Sequence, residues 1–182
     1  MVSKLDSKLI DMVLSLGVSE GECEIVVFED HAGNRQRQAI SVAKQDPSIR
    51  IVFTLPGRRE GAVFITATDG DVLLTRKVLA HLETASRDYG LQVGNVVQLR
   101  DPELAARCID GVVLLPPDVS NLFSELPSVL KIDDQRLPIH LVVFLTREDH
   151  ARWIESGHDG LMDYFSEIDK DLISLGVGRM AE

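Results

Sequence analysis

The sequence predicts an α+β protein, a single domain over residues 1–182 in which a mostly antiparallel or mixed sheet is covered by helices. Three observations carry that expectation. Ile49, Ile51, Phe53 and Leu55 alternate with other residues, and Ala62–Ala67 returns after the Pro56–Gly61 turn region, which is the pattern of a hairpin. Ile139–Leu145 is apolar at both parities except for His140, as expected of a strand buried on both faces near the centre of a sheet. Helical stretches fall between the strands without a regular βαβ alternation. The chain has 182 residues and is 45% hydrophobic, enough for one ordinary core.

The elements follow in order. Leu5, Leu9, Met12, Val13 and Leu16 recur at helical spacing, with Ser3 as N-cap and Gly17 as stop. Cys23–Phe28 suits a short strand. Glu29–Ser48 is polar without a period and reads as loop, with at most a short helix near Gln36–Ala43. After the hairpin, Thr68-Asp69-Gly70-Asp71 opens a helix whose apolar face is Leu74, Val78, Leu82, Ala85 and Tyr89, and Gly90 ends it. Asn95–Leu99 is a strand, Pro102–Arg107 a helical turn or two, and Ile109–Leu115 a strand closed by Pro116-Pro117. Asp118–Glu125 is a short helix or turn, and Ser128–Ile132 a short strand. Thr146 then caps a helix, with Asp149 three residues on, close to a capping box. Gly157 and Gly160 interrupt it before an apolar stripe of Leu161, Tyr164, Phe165, Ile168 and Leu172.

Composition narrows the function classes. The formal net charge is −10, which repels phosphate backbones and argues against a nucleic-acid partner. From Asp133 to Glu182 there are 11 Asp/Glu against 5 Lys/Arg, while the remainder holds 18 against 14. The acid is therefore concentrated in the last 50 residues. Simple solubility accounts for such a surface, and so does a docking face for a basic protein. Two cysteines, Cys23 and Cys108, build neither a disulfide framework nor a four-ligand zinc cluster. The N-terminal stretch has acid inside its apolar run and no small-residue cleavage pattern, so no signal peptide is expected. No apolar run reaches the length of a membrane span. A cytoplasmic protein with no membrane partner is the expectation.

Chemistry-bearing motifs are scarce. Gly176-Val177-Gly178 has no strand before it and is not a nucleotide loop. Arg58 and Arg59 fit a solvated loop tip. Cys23 and Cys108 lie in or beside apolar strands and lack an activating base. Among His31, His81, His140, His150 and His158, the clusters Asp149-His150 and His158-Asp159 look metal-like. Their eight-residue spacing crosses a glycine break, however, and no third ligand is fixed, so they read as helix-surface histidines beside acids. His81 reads as a surface residue, and His140 as a partly buried hydrogen-bonding one. Neighbouring acids such as Asp133-Asp134 and Asp169/Asp171 need not face a common substrate. No catalytic residue, metal or cofactor is expected. Trp153, the only tryptophan, sits beside Ile154 and fits a core anchor; exposed, it would be the first interface residue to test.

Several stretches share a pattern. IHLVVFLT is an apolar strand ending in a hydroxyl cap, REDHARW an acidic helix start, ESGHDG a glycine break and LMDYF a leucine-aromatic helix. Upstream, VLAHLETASRDYG precedes LQVGNVVQL, and DGVVLLPPD forms a strand and proline turn. Over about Ala62–Leu172 this order resembles the suppressor-of-fused domain family. The resemblance implies a non-enzymatic α+β binding module. Bacterial stand-alone members are thought to act as immunity proteins that sequester a toxin domain, and an acidic surface suits a basic toxin cleft.

The expected function is therefore protein binding, by an immunity protein that neutralises a toxin domain. Its contacts would come from the acidic C-terminal helices: Asp149, Trp153, Glu155, Asp159, Asp163 and Glu167. One alternative is a regulatory or structural accessory subunit of a larger complex. Another is a small hydrolase using His150 and His158 with Asp149 or Asp159.

Overall fold

The computed structural model describes residues 3–15, 18–29, 33, 35–44, 46–55, 61–132 and 134–173. The expectations placed on Gly17, His31, the 56–60 turn with Arg58 and Arg59, Asp133 and Gly176–Gly178 lie outside the described residues.

The chain runs α1 (Lys4–Ser15), β1 (Val18–Glu29), β2 (Arg35–Ala43), β3 (Arg50–Leu55), β4 (Val63–Thr68), α2 (Val72–Tyr89), β5 (Val96–Gln98), α3 (Pro102–Ala106) and β6 (Ile109–Leu115). Two 3-10 turns, Pro117–Val119 and Asn121–Phe123, lead to β7 (Val129–Ile132), β8 (Gln135–Thr146) and α4 (Arg147–Glu167). The strands form one eight-stranded mixed sheet in the order β1-β2-β3-β4-β8-β6-β5, with β7 also on β8. Every pairing is antiparallel except β4 with β8. This is the predicted α+β class. The predicted hairpin is present as β3 and β4, with Phe53 opposite Ile65.

β8 holds the centre. It pairs with β7, β4 and β6 along its 12 residues, and Ile139–Leu145 is buried throughout. Successive side chains on it point to opposite faces. Ile139, Leu141, Val143 and Leu145 join one apolar cluster with Leu5, Leu9 and Val13 of α1 and Leu161 and Phe165 of α4. Val142 and Phe144 join a second cluster with Leu74, Val78, Leu79 and Leu82 of α2 and Leu104 of α3. The result is three layers, with α1 and α4 on one face of the sheet and α2 and α3 on the other.

Local chemistry sets the helix starts. The Ser3 hydroxyl accepts from the Asp6 amide at 3.0 Å while the Asp6 carboxylate accepts from the Ser3 amide at 3.1 Å. Asp71 caps α2 by accepting from the Leu74 amide at 3.0 Å, and Gly90 closes it with φ 65. Leu74, Val78 and Leu82 are buried as the periodicity predicts, but Tyr89 at the end of that stripe is 82% exposed. The helix outruns the sheet by its last turn.

One expectation is overturned. The segment read as loop with a short helix near Gln36–Ala43 is strand β2, paired on both sides. Several of its polar side chains are bonded from neighbouring elements, although the Gln36 amide oxygen and the Ser41 hydroxyl are buried without a partner. Gln38 donates to the Arg76 carbonyl at 2.9 Å and accepts from the Arg76 side chain at 3.1 Å. Gln36 donates to the Thr84 hydroxyl at 2.8 Å. Arg37 meets the buried Asp6 at 2.6 Å, and Arg35 meets Glu29 at 2.8 Å. A buried glutamine on a strand is tolerated when its amide is paired, here by α2.

Candidate functional site

The predicted contact residues all lie on α4, and its path decides what they can reach. The helix opens on a full capping box: the Thr146 hydroxyl accepts from the Asp149 amide at 3.2 Å, and the Asp149 carboxylate accepts from the Thr146 amide at 2.8 Å. Gly157 then adopts φ 70 and ψ −164, a conformation essentially reserved for glycine. A straight helix would separate Glu148 from Tyr164 by about 24 Å. Instead the Tyr164 hydroxyl donates to the Glu148 carboxylate at 3.1 Å, and Arg152 sits over the Tyr164 ring at 5.3 Å. Gly157 therefore folds the second half of α4 back beside the first.

That turn sorts the six residues. Asp149 is not an exposed contact: it is 2% exposed, and besides its capping role it accepts from Lys170 at 2.7 Å. The expectation that it belongs to a docking face is corrected, because the Thr146 amide and Lys170 both bond to its Oδ2 and the packing around it leaves almost none of its surface exposed. Trp153 is half-buried, packs on the α1/α4 core cluster and lies over the His150 ring at 5.8 Å. Glu155 is exposed, 3.8 Å from Arg152. Asp159, Asp163 and Glu167 are exposed on one row of the second half, at i, i+4 and i+8, opposite the buried Leu161 and Phe165. None of these three makes a hydrogen bond or ion pair among the described residues. Ile154 adds an apolar side chain, 69% exposed.

The histidines are not a surface pair. His150 is largely covered, its Nδ1 in close contact with Asp110 of β6, so it ties α4 to the sheet. His158 is half-buried against the turn at Gly94, with its Nδ1 enclosed and without a partner. Each has its own neighbour, and no group of three or more His, Cys, Asp and Glu that could hold a metal occurs among the described residues. His81 is exposed, as expected. His140 is fully buried on β8 beside Phe64, ring centroids 5.6 Å apart, and neither nitrogen makes a well-oriented hydrogen bond. Burial holds its pKa below the usual histidine value, and the nearby Leu91 backbone offsets only part of that.

Sequence reasoning missed a concave region. A cleft of about 500 Å³ lies between the end of β5, α3, the start of β6 and the start of α4, and is lined by Leu99, Arg100, Pro102, Cys108, Asp110 and Arg147, among others. A cavity of about 380 Å³ adjoins it on the α2 side and shares Gln98–Asp101. Most of the lining of the first cleft comes from residues 98–110, but Arg147 joins it from 37 positions beyond Asp110, and no motif announces that meeting. No described helix is long and apolar enough to cross a membrane.

Among solved structures, the chain is similar to a protein from Neisseria gonorrhoeae FA 1090 described as a candidate SUFU (suppressor of fused protein) homolog. The TM-score is 0.69, and the match covers 94% of this chain and 93% of that one. The chain has a suppressor-of-fused-like fold. Sequence identity is 13%, so the likeness is one of fold. It extends beyond the Ala62–Leu172 stretch that carries the sequence resemblance. No protein-family model matches the sequence, and no curated protein is significantly similar to it.

Proposed function

We propose that this suppressor-of-fused-like protein works by binding another protein, without catalysis, and that its docking face is the outer side of the folded-back half of α4. The observation that carries the reading is the row Asp159, Asp163 and Glu167. Like charges four residues apart on a helix repel one another, and here no described cation relieves them. A row of that kind costs the helix stability and offers a complementary surface to a basic partner. Trp153 and Ile154 supply apolar surface on the neighbouring half. A toxin domain with a basic cleft is the partner class that fits, which makes an immunity protein the specific form of the reading.

The test compares the native protein with Asp159→Lys/Asp163→Lys as bait in native cell extract, at low and at physiological salt. The expected result is one basic partner, held by the native protein, weakened by salt and lost with the double variant. Recovery of the same partners by both baits would sink the α4 face as the docking surface.

One observation favours a second reading, an accessory subunit of a larger complex. β1 is a sheet edge whose only described strand partner is β2; its ladder is irregular between Val18 and Cys23 and Arg76 donates to the Val27 carbonyl at 3.3 Å, but the side chains of Ile25 (40%) and Val27 (55%) stand exposed. Natural edges are usually shorter or guarded by lysine or proline. Light scattering of Val27→Lys against the native protein separates the readings: a stable assembly that the substitution dissolves supports the subunit role.

A further inference from the structure

We propose that the cleft between β5, α3, β6 and the start of α4 is a binding site for a small organic carboxylate with an apolar body. Its volume, about 500 Å³, falls within the range of small-molecule sites. Leu99, Pro102, Ala105 and Ile109 give it apolar walls. Arg100, in the connection between β5 and α3, and Arg147, at the start of α4, both line it, and neither makes a hydrogen bond or ion pair among the described residues. In a chain of net charge −10, two uncommitted guanidinium groups on one concavity are a local inversion of sign. Guanidinium forks match carboxylates in shape and charge.

The acids of the cleft set the charge of the ligand. Asp101 spends one oxygen capping α3, on the Glu103 amide at 2.8 Å and the Leu104 amide at 3.3 Å. Asp110 is engaged by His150. Both still place negative charge in the wall, so a monoanion is favoured over a dianionic phosphate. In the adjoining cavity Lys77 is already paired with Glu103 at 2.7 Å, which leaves the two arginines as the free cations of the region. The site shares no residue with the acidic row of α4 and does not depend on a partner binding there.

Cys108 provides the readout. It is a free, exposed thiol in the same wall. The first measurement is the rate at which Cys108 is alkylated by iodoacetate and by iodoacetamide, followed by peptide mass spectrometry. The arginines should favour the anionic reagent relative to its neutral analogue by several-fold over Arg100→Gln/Arg147→Gln. The second measurement is protection: 3-phenylpropionate should slow Cys108 alkylation by iodoacetamide, while 3-phenylpropanol and phenyl phosphate at equal concentration should do so at least several-fold less. Arg136→Gln, an exposed arginine elsewhere, is the control and should change neither result. Equal reagent preference in the native and double-variant proteins, or equal protection by the acid and the alcohol, overturns the proposal. So does stronger protection by the phosphate, or none by the acid. A double variant that fails to fold shifts the decision to the protection series on the native protein.

Discussion

The two faces of the sheet are built by different means. The face under α1 and α4 is closed by an almost wholly apolar cluster, from Leu5, Leu9 and Val13 to Leu161 and Phe165. Its polar ties are two ion pairs at helix starts, where the buried Asp6 meets Arg37 and the buried Asp149 meets Lys170. The face under α2 buries polar groups inside the layer. Gln36 and Gln38 bond to α2, Thr66 donates to the Val142 carbonyl at 2.8 Å, and Thr54 accepts from the Phe64 amide at 3.0 Å. His140 is buried there without a well-oriented hydrogen bond. Hydrophobic closure is tolerant of detail, whereas a buried polar layer costs stability wherever a single partner is missing. The first face can therefore carry charge on its outer helix at little risk. The second should respond to protonation.

The largest effect should come from separating the structural acid of α4 from its surface acids. Asp149→Ala removes the carboxylate half of the capping box and leaves Lys170, largely buried, without its counter-ion. The expected loss is about 3 kcal/mol. For a chain of this size that is a fall of roughly 6–12 °C in Tm. Asp159→Ala, on the same helix, should stay within about 0.5 kcal/mol. Urea unfolding of the two variants checks the contrast. Equal losses would mean that the folded-back half of α4 does not rest on the Asp149–Lys170 pair.

The next effect tests the polar face. His140 has its folded-state pKa depressed, so the unfolded chain takes up a proton at higher pH than the folded one. The neutral ring's contribution is complete above the unfolded histidine value of about 6.5, and it is lost as pH falls below that value. His140→Leu removes the titration and the unbonded nitrogens together. Its stability should exceed the native value by about 1 kcal/mol at neutral pH, and the margin should widen at pH 5. Parallel stability curves for the two proteins between pH 7 and pH 5 would refute the role of His140.

The same contrast explains what the sequence reveals. Apolar spacing exposes α1, α2, the β3–β4 hairpin and the central β8, because hydrophobic closure leaves its period in the chain. The capping box at Thr146 and the break at Gly157 are legible because each depends on residues within a few positions of one another. β2 is not legible. Arg35, Gln36, Arg37 and Gln38 hide their alternation because their partners, Asp6, Arg76 and Thr84, belong to other elements. The acidic row on α4 is visible as composition, but the burial of Asp149 is not, since it depends on Lys170, 21 residues on. The cleft is invisible for the same reason: Arg100 and Arg147 converge only after the β5–β6 pairing is made. Gly111 lets that pairing close, since a Cβ there would lie 2.7 Å from the Val97 carbonyl oxygen.

The smallest effect bears most directly on function. Asp163 lies between Asp159 and Glu167 and takes part in both like-charge pairs of the row. Asp163→Gln should therefore stabilise the folded protein, by about 0.3 kcal/mol per relieved pair at low ionic strength. The gain should fade as salt rises, because exposed charges are screened within a few ångströms at 1 M. A purely structural helix would have no reason to keep such a repulsion, so the substitution should also slow association with the partner captured on this face. Measuring stability at low and high salt beside the association rate joins the two. A stability gain with an unchanged rate would leave the row as solubilising charge and move the docking surface to the β1 edge, where Ile25 and Val27 stand exposed.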